Sequence, residues 1–190
     1  MANKSYVKNT ALVGLKLLLI CAVIAGVVSF VYTVTFDAYQ KNLDREIRAS
    51  MAVIFNAEED DVIDLDVYDG VLDSDIQAVY TVKLNGEIVG YCVNVIGKGF
   101  GGDMSLMVGY QPDRSIRGVS IVSHAETPGV GSKVGDAAHL SQYAGLSGEL
   151  TLSKRGDADI TAISGATISS KAVHDAVNRA GEVLASVPVA

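Results

Sequence analysis

Cysteine is nearly missing from this 190-residue chain, with Cys21 and Cys92 the only two. Cys21 lies in an apolar run and Cys92 in a predicted strand, so the remainder of the chain holds one thiol and forms no internal disulfide. It also lacks the clustered thiols an iron–sulfur centre needs, and Cys92 reads as a small buried hydrophobe. Histidine is scarce too: His124, His139 and His174 fall in a loop, a predicted helix and the last helix, without shared ligand spacing. No zinc or iron site is expected. Basic residues number 15 against 22 acidic ones, for a net charge of -7. The first 36 residues hold Lys4, Lys8 and Lys16 and no acid, which leaves -10 for the rest. An acidic domain without a basic stripe excludes nucleic acid as a partner, because phosphate backbones need clustered Lys and Arg. There is no GxSxG elbow, Walker loop or cysteine–histidine dyad, and no catalytic residue is nominated.

Charge is absent altogether from Leu17 to Phe36, a run of 20 residues. At about 1.5 Å per residue it reaches ~30 Å, the thickness of a bilayer core, and Lys16 can snorkel to the headgroups. A cleaved signal peptide wants a shorter apolar core and a small-x-small site, which Ser-Phe-Val-Tyr-Thr-Val-Thr-Phe does not offer. Ile20 before Cys21 does not suit a lipoprotein box. The run is expected to be a retained anchor, residues 1–36 with the cytoplasmic tail. Lysines before it and Asp37 after it put the N-terminus in the cytoplasm and the remainder on the outer face.

Residues 37–66 read as a juxtamembrane helix and linker. Leu43, Ile47, Val53 and Ile54 give an intermittent apolar face, Asp44 and Arg48 can pair one turn apart, and a solvated stalk is the expectation. Glu58 to Asp66 reads as an acidic loop. Residues 67–190 form the outer domain. There the period changes to two: Val79–Leu84, Asn85-Gly86 and Glu87–Ile96 predict a hairpin. Gly97-Lys98-Gly99-Phe100-Gly101-Gly102 formally satisfies G-x-G-x-x-G, but Met104–Tyr110 after it reads as a strand. Without a following helix the dinucleotide mechanism has no anion site, which leaves a bulge or a close approach to a flat ligand. Gln111–Arg114 is a turn and Ser115–Val122 another strand. Residues 132–145 read as helix or irregular, and Glu149–Ser153 as a strand. An antiparallel meander with packed helices, an α+β fold, is expected.

Two stretches carry the chemistry. Ser123-His124-Ala125-Glu126-Thr127-Pro128-Gly129-Val130-Gly131 is a rigid loop leaving a strand end, where binding loops commonly sit. Asp159 to Val173 runs from a β-branched segment through Ser164-Gly165-Ala166-Thr167 into a helix. Val173, Val177, Ala180 and Leu184 recur there at helical spacing, with Ser169 or Ser170 as the N-cap candidate. Thr167 thus sits at the mouth of a helix N-terminus, where free backbone N–H groups and the macrodipole suit a phosphate. His174 lies one turn beyond Ser170 and is expected at the surface, with a position facing that phosphate as the alternative.

Ser-Gly-Ala-Thr-x-Ser before a small-apolar helix resembles the flavinylation motif of the FMN-binding domain family. That family includes the G subunit of Rnf electron-transport complexes and the C subunit of sodium-pumping NADH:quinone oxidoreductases. The loop resembles the family's His-x-Glu-Thr-Pro-Gly-Leu-Gly segment, with Val130 in place of leucine. The resemblance implies FMN esterified through its phosphate to Thr167 by a separate flavin transferase, with Ser164, Gly165, Ala166 and Ser169 as context. It also implies that Glu126, Thr127 and Gly129 lie beside the flavin, within a twisted antiparallel sheet domain. Single span and length look most like the G subunit of Rnf complexes. The chain is then an electron carrier among other membrane subunits of a complex that couples ferredoxin and NAD exchange to sodium or proton movement. A quinone-reductase subunit, a stand-alone outer-face flavoprotein reductase, and a cofactor-free sensory or adhesive domain are the alternatives.

Overall fold

The computed structural model describes residues 2–57, 63–70 and 72–188, without the side chains of 2–11, 37, 38, 40, 43 and 44. The expected pairing of Asp44 with Arg48, the side chains of Leu43, Lys4, Lys8 and Asp37, and most of the acidic loop from Glu58 fall outside the described residues. The chain forms two compact units, Met1–Arg45 and Glu46–Ala190.

Helix α1 (Ala2–Phe55) contains an apolar stretch, Leu12–Phe36, of 25 residues with mean hydropathy 2.6, none of it buried against protein. It is long and apolar enough to cross a bilayer. Within the second unit α1 ends on Asn56 in the left-handed conformation (φ 51°). Asn56 N–H donates to Val53 O and Ala57 N–H to Ala52 O, the paired bonds of a Schellman stop.

Five strands follow as a meander in the order β1-β2-β3-β4-β5, with β1 at Ile63–Val67, β2 at Ile76–Leu84, β3 at Glu87–Lys98, β4 at Asp103–Tyr110 and β5 at Ile116–His124. All four pairings are antiparallel. Asn85 (φ 52°) and Gly86 (φ 86°) form the β2–β3 turn, the type I′ geometry that Asn-Gly favours. Strand β1 corrects the expectation of a loop down to Asp66. Ile63, Leu65 and Val67 alternate with Asp64 and Asp66, a period-two edge strand whose acids face water, and Lys83 pairs with Asp66.

After β5 come a 3-10 turn (Gly131–Gly135), the short helix α2 (Ala137–Leu140), a second 3-10 turn (Ser141–Tyr143) and two minimal parallel strands, β6 (Leu152–Ser153) and β7 (Ile160–Thr161). The strand expected over Glu149–Ser153 is therefore confined to its last two residues. Helix α3 (Thr167–Ser186) closes the domain, and Val187 before Pro188 is already extended (ψ 129°), as the residue before a proline prefers.

Both faces of the sheet are covered. On one, Val173, Val177, Ala180 and Leu184 of α3 are all at most 1% exposed, packed in one core with Val93, Val95, Leu106 and Val108. A Cβ on Gly97 would lie 2.8 Å from Ala172 O, so the glycine lets α3 approach β3. On the other face lie Ile47, Met51, Ile54 and Phe55, all buried, which corrects the expected solvated stalk. Val53, assigned to that apolar face, is 72% exposed. The buried positions recur at i, i+4, i+7 and i+8 from Ile47, one helical stripe that Val53 misses. Arg117 of β5 donates from Nε to Ile54 O (3.1 Å) and from Nη2 to Phe55 O (3.0 Å), with its guanidinium 5.1 Å from the Phe55 ring centre. A cation on the last carbonyls complements the negative end of the helix.

Candidate functional site

The turn before α3 is closed by Ala166 N–H donating to Ile163 O at 3.0 Å, with Gly165 at φ 83°. Ser164 and Gly165 are its two central residues, and only the second needs a positive φ, which glycine supplies without strain. Helix α3 starts at Thr167 with Ala166 as its N-cap, and no side chain caps it. This corrects the expectation of a serine cap. Ser169 and Ser170 lie inside the first turn with both hydroxyls committed elsewhere. Ser170 Oγ accepts from Ile163 N–H at 3.0 Å, and Ser169 Oγ donates to Glu126 Oε2 at 2.9 Å. The helix start keeps its positive end open.

The 123–131 loop folds across this end. Val130 N–H donates to Thr127 O at 3.3 Å, with Pro128 and Gly129 (φ 76°) at the centre of the turn. Proline first and a positive-φ glycine second is the composition of a type II turn. The turn presents Glu126 inward, where the residue is only 5% exposed. Its Oε1 accepts from Gly101 N–H at 3.2 Å. Side chains on Gly99 or Gly131 would overlap the carboxylate, and one on Gly101 would overlap Ala125 O. The glycines of the β3–β4 hairpin loop thus serve close packing on Glu126. The dinucleotide reading rejected from sequence finds no support, since a strand and no helix follows that loop.

These segments enclose a cleft of about 350 Å³ lined by Phe100, Glu126, Thr127, Val130, Gly131, Gly165, Ala166, Thr167, Ile168 and Ser169. Six of the eight residues nominated from sequence are in this wall; Ser164 and Gly129 are not, and shape the two turns beside it. Phe100, Val130 and Ile168 were not nominated. They are 73%, 50% and 55% exposed, large apolar side chains gathered at one concavity. A glycine-flanked aromatic was the one signal in the sequence for Phe100. A second cleft of about 390 Å³, between the C-terminal half of α3 and the β4–β5 turn, includes Tyr110, Asn178 and Gly181 and none of the nominated residues.

The three histidines lie in separate places, and among the described residues no group of three His, Cys, Asp or Glu side chains converges. His174 is 7% exposed, which corrects its expected surface position. Its Nε2 lies 3.3 Å from Asn178 Nδ2, and Asn178 in turn brackets Leu150 through both backbone groups at 3.0 Å. Burial holds the imidazoles of His139 and His174 below the usual histidine range. Burial pushes the Cys92 thiol far up, as for an inert core residue.

An apolar helix long enough to cross a bilayer precedes an α+β domain, which has an open helix start and a threonine hydroxyl in an apolar-rimmed pocket. Residues 99–182 match the FMN-binding domain family. The G subunit of the Na+-translocating ferredoxin:NAD+ oxidoreductase complex of Acetobacterium woodii is 38% identical over 112 residues, 55% of this chain and 54% of that one. The G subunit of the proton-translocating ferredoxin:NAD+ oxidoreductase complex of Clostridium ljungdahlii is 36% identical over 54% of this chain and 57% of its own. The G subunit of the ion-translocating oxidoreductase complex of Shewanella loihica is 27% identical over 93% of this chain and 88% of its own. The crystal structure of Shewanella oneidensis NqrC aligns with a TM-score of 0.45 and 31% identity over 53% of each chain. The matched segments span about half the length of the first two relatives. Over residues 99–182 the chain is similar to the FMN-binding domain family, and over about half of its length to proteins named as the G subunits of ion-translocating oxidoreductase complexes.

Proposed function

We propose that this chain is the FMN-bearing electron carrier of an Rnf-type ion-translocating ferredoxin:NAD oxidoreductase, with FMN joined through its phosphate to Thr167 Oγ1. One observation carries the reading: Thr167 is the first residue of an uncapped helix and lines a cleft with Glu126, Thr127 and three exposed apolar side chains. The residues fit the group on two counts. The unpartnered N–H groups and positive end of α3 suit a phosphodiester anion, and Phe100, Val130 and Ile168 offer apolar cover for a flat ring system.

Bound there, FMN supplies one- or two-electron chemistry, while the protein provides position and electrostatics. Thr167 holds the tether. The turns at Ser164-Gly165 and Pro128-Gly129 fix the two walls, and Glu126 locks the second wall to the first turn of α3. The anchor keeps the domain at the membrane, and by the positive-inside rule the domain is on the outer face with the first residues in the cytoplasm. A covalent tether suits that face, where a dissociated cofactor is lost. Further membrane subunits complete the electron path, and a flavin transferase forms the ester.

Intact mass of the chain purified from its own host tests the attachment. The expected increment is one FMN less one water, lost in Thr167→Ala and kept in Thr167→Ser. An unmodified native chain, or a flavin retained covalently in Thr167→Ala, overturns the attachment. Co-purification with several multi-span subunits is expected for a complex component, and its absence favours a stand-alone reductase.

A further inference from the structure

We propose that Glu126 sets the midpoint potential of the flavin, holding it low by fixing a carboxylate in the cleft wall; this rests on the FMN reading above. Among the described residues that line the cleft, Glu126 is the one ionisable side chain. At 5% exposure it is shielded from bulk water, so its charge acts through a lower effective dielectric than a surface acid's would.

The charge is also immobile. Oε1 accepts from Gly101 N–H and Oε2 from Ser169 Oγ, so hydrogen bonds hold both oxygens in place. Gly99 and Gly131 press against those oxygens so closely that a methyl on either would overlap them. The carboxyl cannot swing out to solvent. His124, the nearest titratable side chain in the loop, turns its ring to the backbone, with Nδ1 accepting from Glu126 N–H at 3.2 Å. It does not neutralise the acid.

Reduction of the ring by two electrons, drawn from a ferredoxin- or nicotinamide-class donor, with uptake of one proton from solvent leaves one added negative charge on the ring. A fixed carboxylate in the same cleft disfavours that charge and lowers the potential, since charge near the ring is one of the levers a protein has over a bound flavin. The α3 helix start and the phosphodiester contribute fixed fields of their own. They are unchanged by substitution at 126 and drop out of a comparison between variants.

The test is a potentiometric titration of the flavin-loaded full chain in detergent. Glu126→Gln keeps the shape and removes the charge, so the midpoint is expected to rise. A tenfold gain in the relative stability of the reduced form corresponds to about 30 mV for a two-electron couple. Ser169→Ala removes the hydroxyl that disperses the carboxylate's charge and is expected to move the midpoint down. Opposite signs separate an electrostatic role from a structural one, because a loosened cleft shifts both variants the same way. An unchanged or lowered midpoint in Glu126→Gln overturns the proposal, as do shifts of the same sign. If Glu126→Gln takes up no FMN, Ser169→Ala alone decides, and a midpoint equal to or above the parent's overturns it. If neither variant is loaded, the pair serves attachment and the proposal falls. A parent chain without flavin in its mass spectrum defeats the FMN reading itself, whereas a loaded parent with insensitive variants defeats this inference alone.

Discussion

Glu126 and Ser169, 43 residues apart in sequence, meet at 2.9 Å where a loop crosses the first turn of α3. Both are buried, so the bond is shielded from competing water and joins the two walls of the cleft. Hydrogen bonds to charged groups contribute about 1.5–3 kcal/mol. Ser169→Ala is expected to lower the stability of the full chain by about that amount, read as a shift in the urea midpoint with unchanged slope. A loss below ~0.5 kcal/mol would mean that water replaces the hydroxyl without cost.

The glycines around that carboxylate give a second expectation. Gly131→Ala and Gly99→Ala place a methyl directly against the Glu126 oxygens. Overpacking of this kind costs about 1–3 kcal/mol and displaces the crowded side chain. On the proposed FMN reading, flavin attachment to Thr167 is expected to fall in both, while Gly135→Ala, whose new Cβ would sit at an ordinary 3.6 Å from Ile121 Cδ1, stays near the parent level. Covalent flavin fluorescence on a denaturing gel measures all three. Equal loading across the set would show that Glu126 is free to move.

What was legible in the sequence was local. Asn85-Gly86, Pro128-Gly129 and Ser164-Gly165 each announce a turn through their own backbone preferences, and each forms the turn expected. The period-two runs from Val79 onward became the meander for the same reason. The failures came where distant residues decide. Ser169 and Ser170 are good caps by propensity, but Glu126 and the Ile163 amide claim their hydroxyls and the helix starts three or four residues earlier than such a cap would place it. Ile63–Asp66 looked like loop because of its aspartates, yet at a sheet edge alternate acids simply face water. Phe100 escaped nomination because its flanking glycines, the one local signal, mark a loop without showing that it rims a cleft.

The far face of the sheet allows a coupled test. Gly109 and Gly118 are cross-strand partners, and Ile54 of α1 packs over them. A methyl on Gly109 would overlap Ile54 Cγ2. Gly109→Ala alone is expected to destabilise by about 1–3 kcal/mol through overpacking. Ile54→Ala alone costs about 2–5 kcal/mol through the cavity it leaves. The double variant is expected to be more stable than the sum predicts, by ~0.5–3 kcal/mol, because the new methyl enters the vacated space. Strict additivity in thermal or urea unfolding would place Ile54 away from the glycine pair.

Acid sensitivity should begin earlier than the carboxylates require. Asp113 and Asp159 are held below the ordinary carboxylate range by hydrogen bonds from Ser115 and Thr151, so their stabilisation is lost only as pH falls below the unfolded value of about 4. His139 and His174 behave differently. Burial lowers both below the ordinary histidine range, so the unfolded chain takes up protons there before the folded chain does. By linkage, stability is complete above the unfolded histidine value of about 6.5 and declines as pH falls from there towards the depressed folded values. His139 Nε2 and His174 Nδ1 lack hydrogen-bond partners among the described residues, and burial disfavours the protonated rings more than the nearby Asp136, Asp159 and Asp175 favour them. Unfolding midpoints of the full chain, followed from about pH 8 to about pH 5 across that histidine range, are therefore expected to fall, and His139→Gln with His174→Gln together should flatten that slope. A parent midpoint that holds level across the same window would mean that both imidazoles protonate freely in the folded chain.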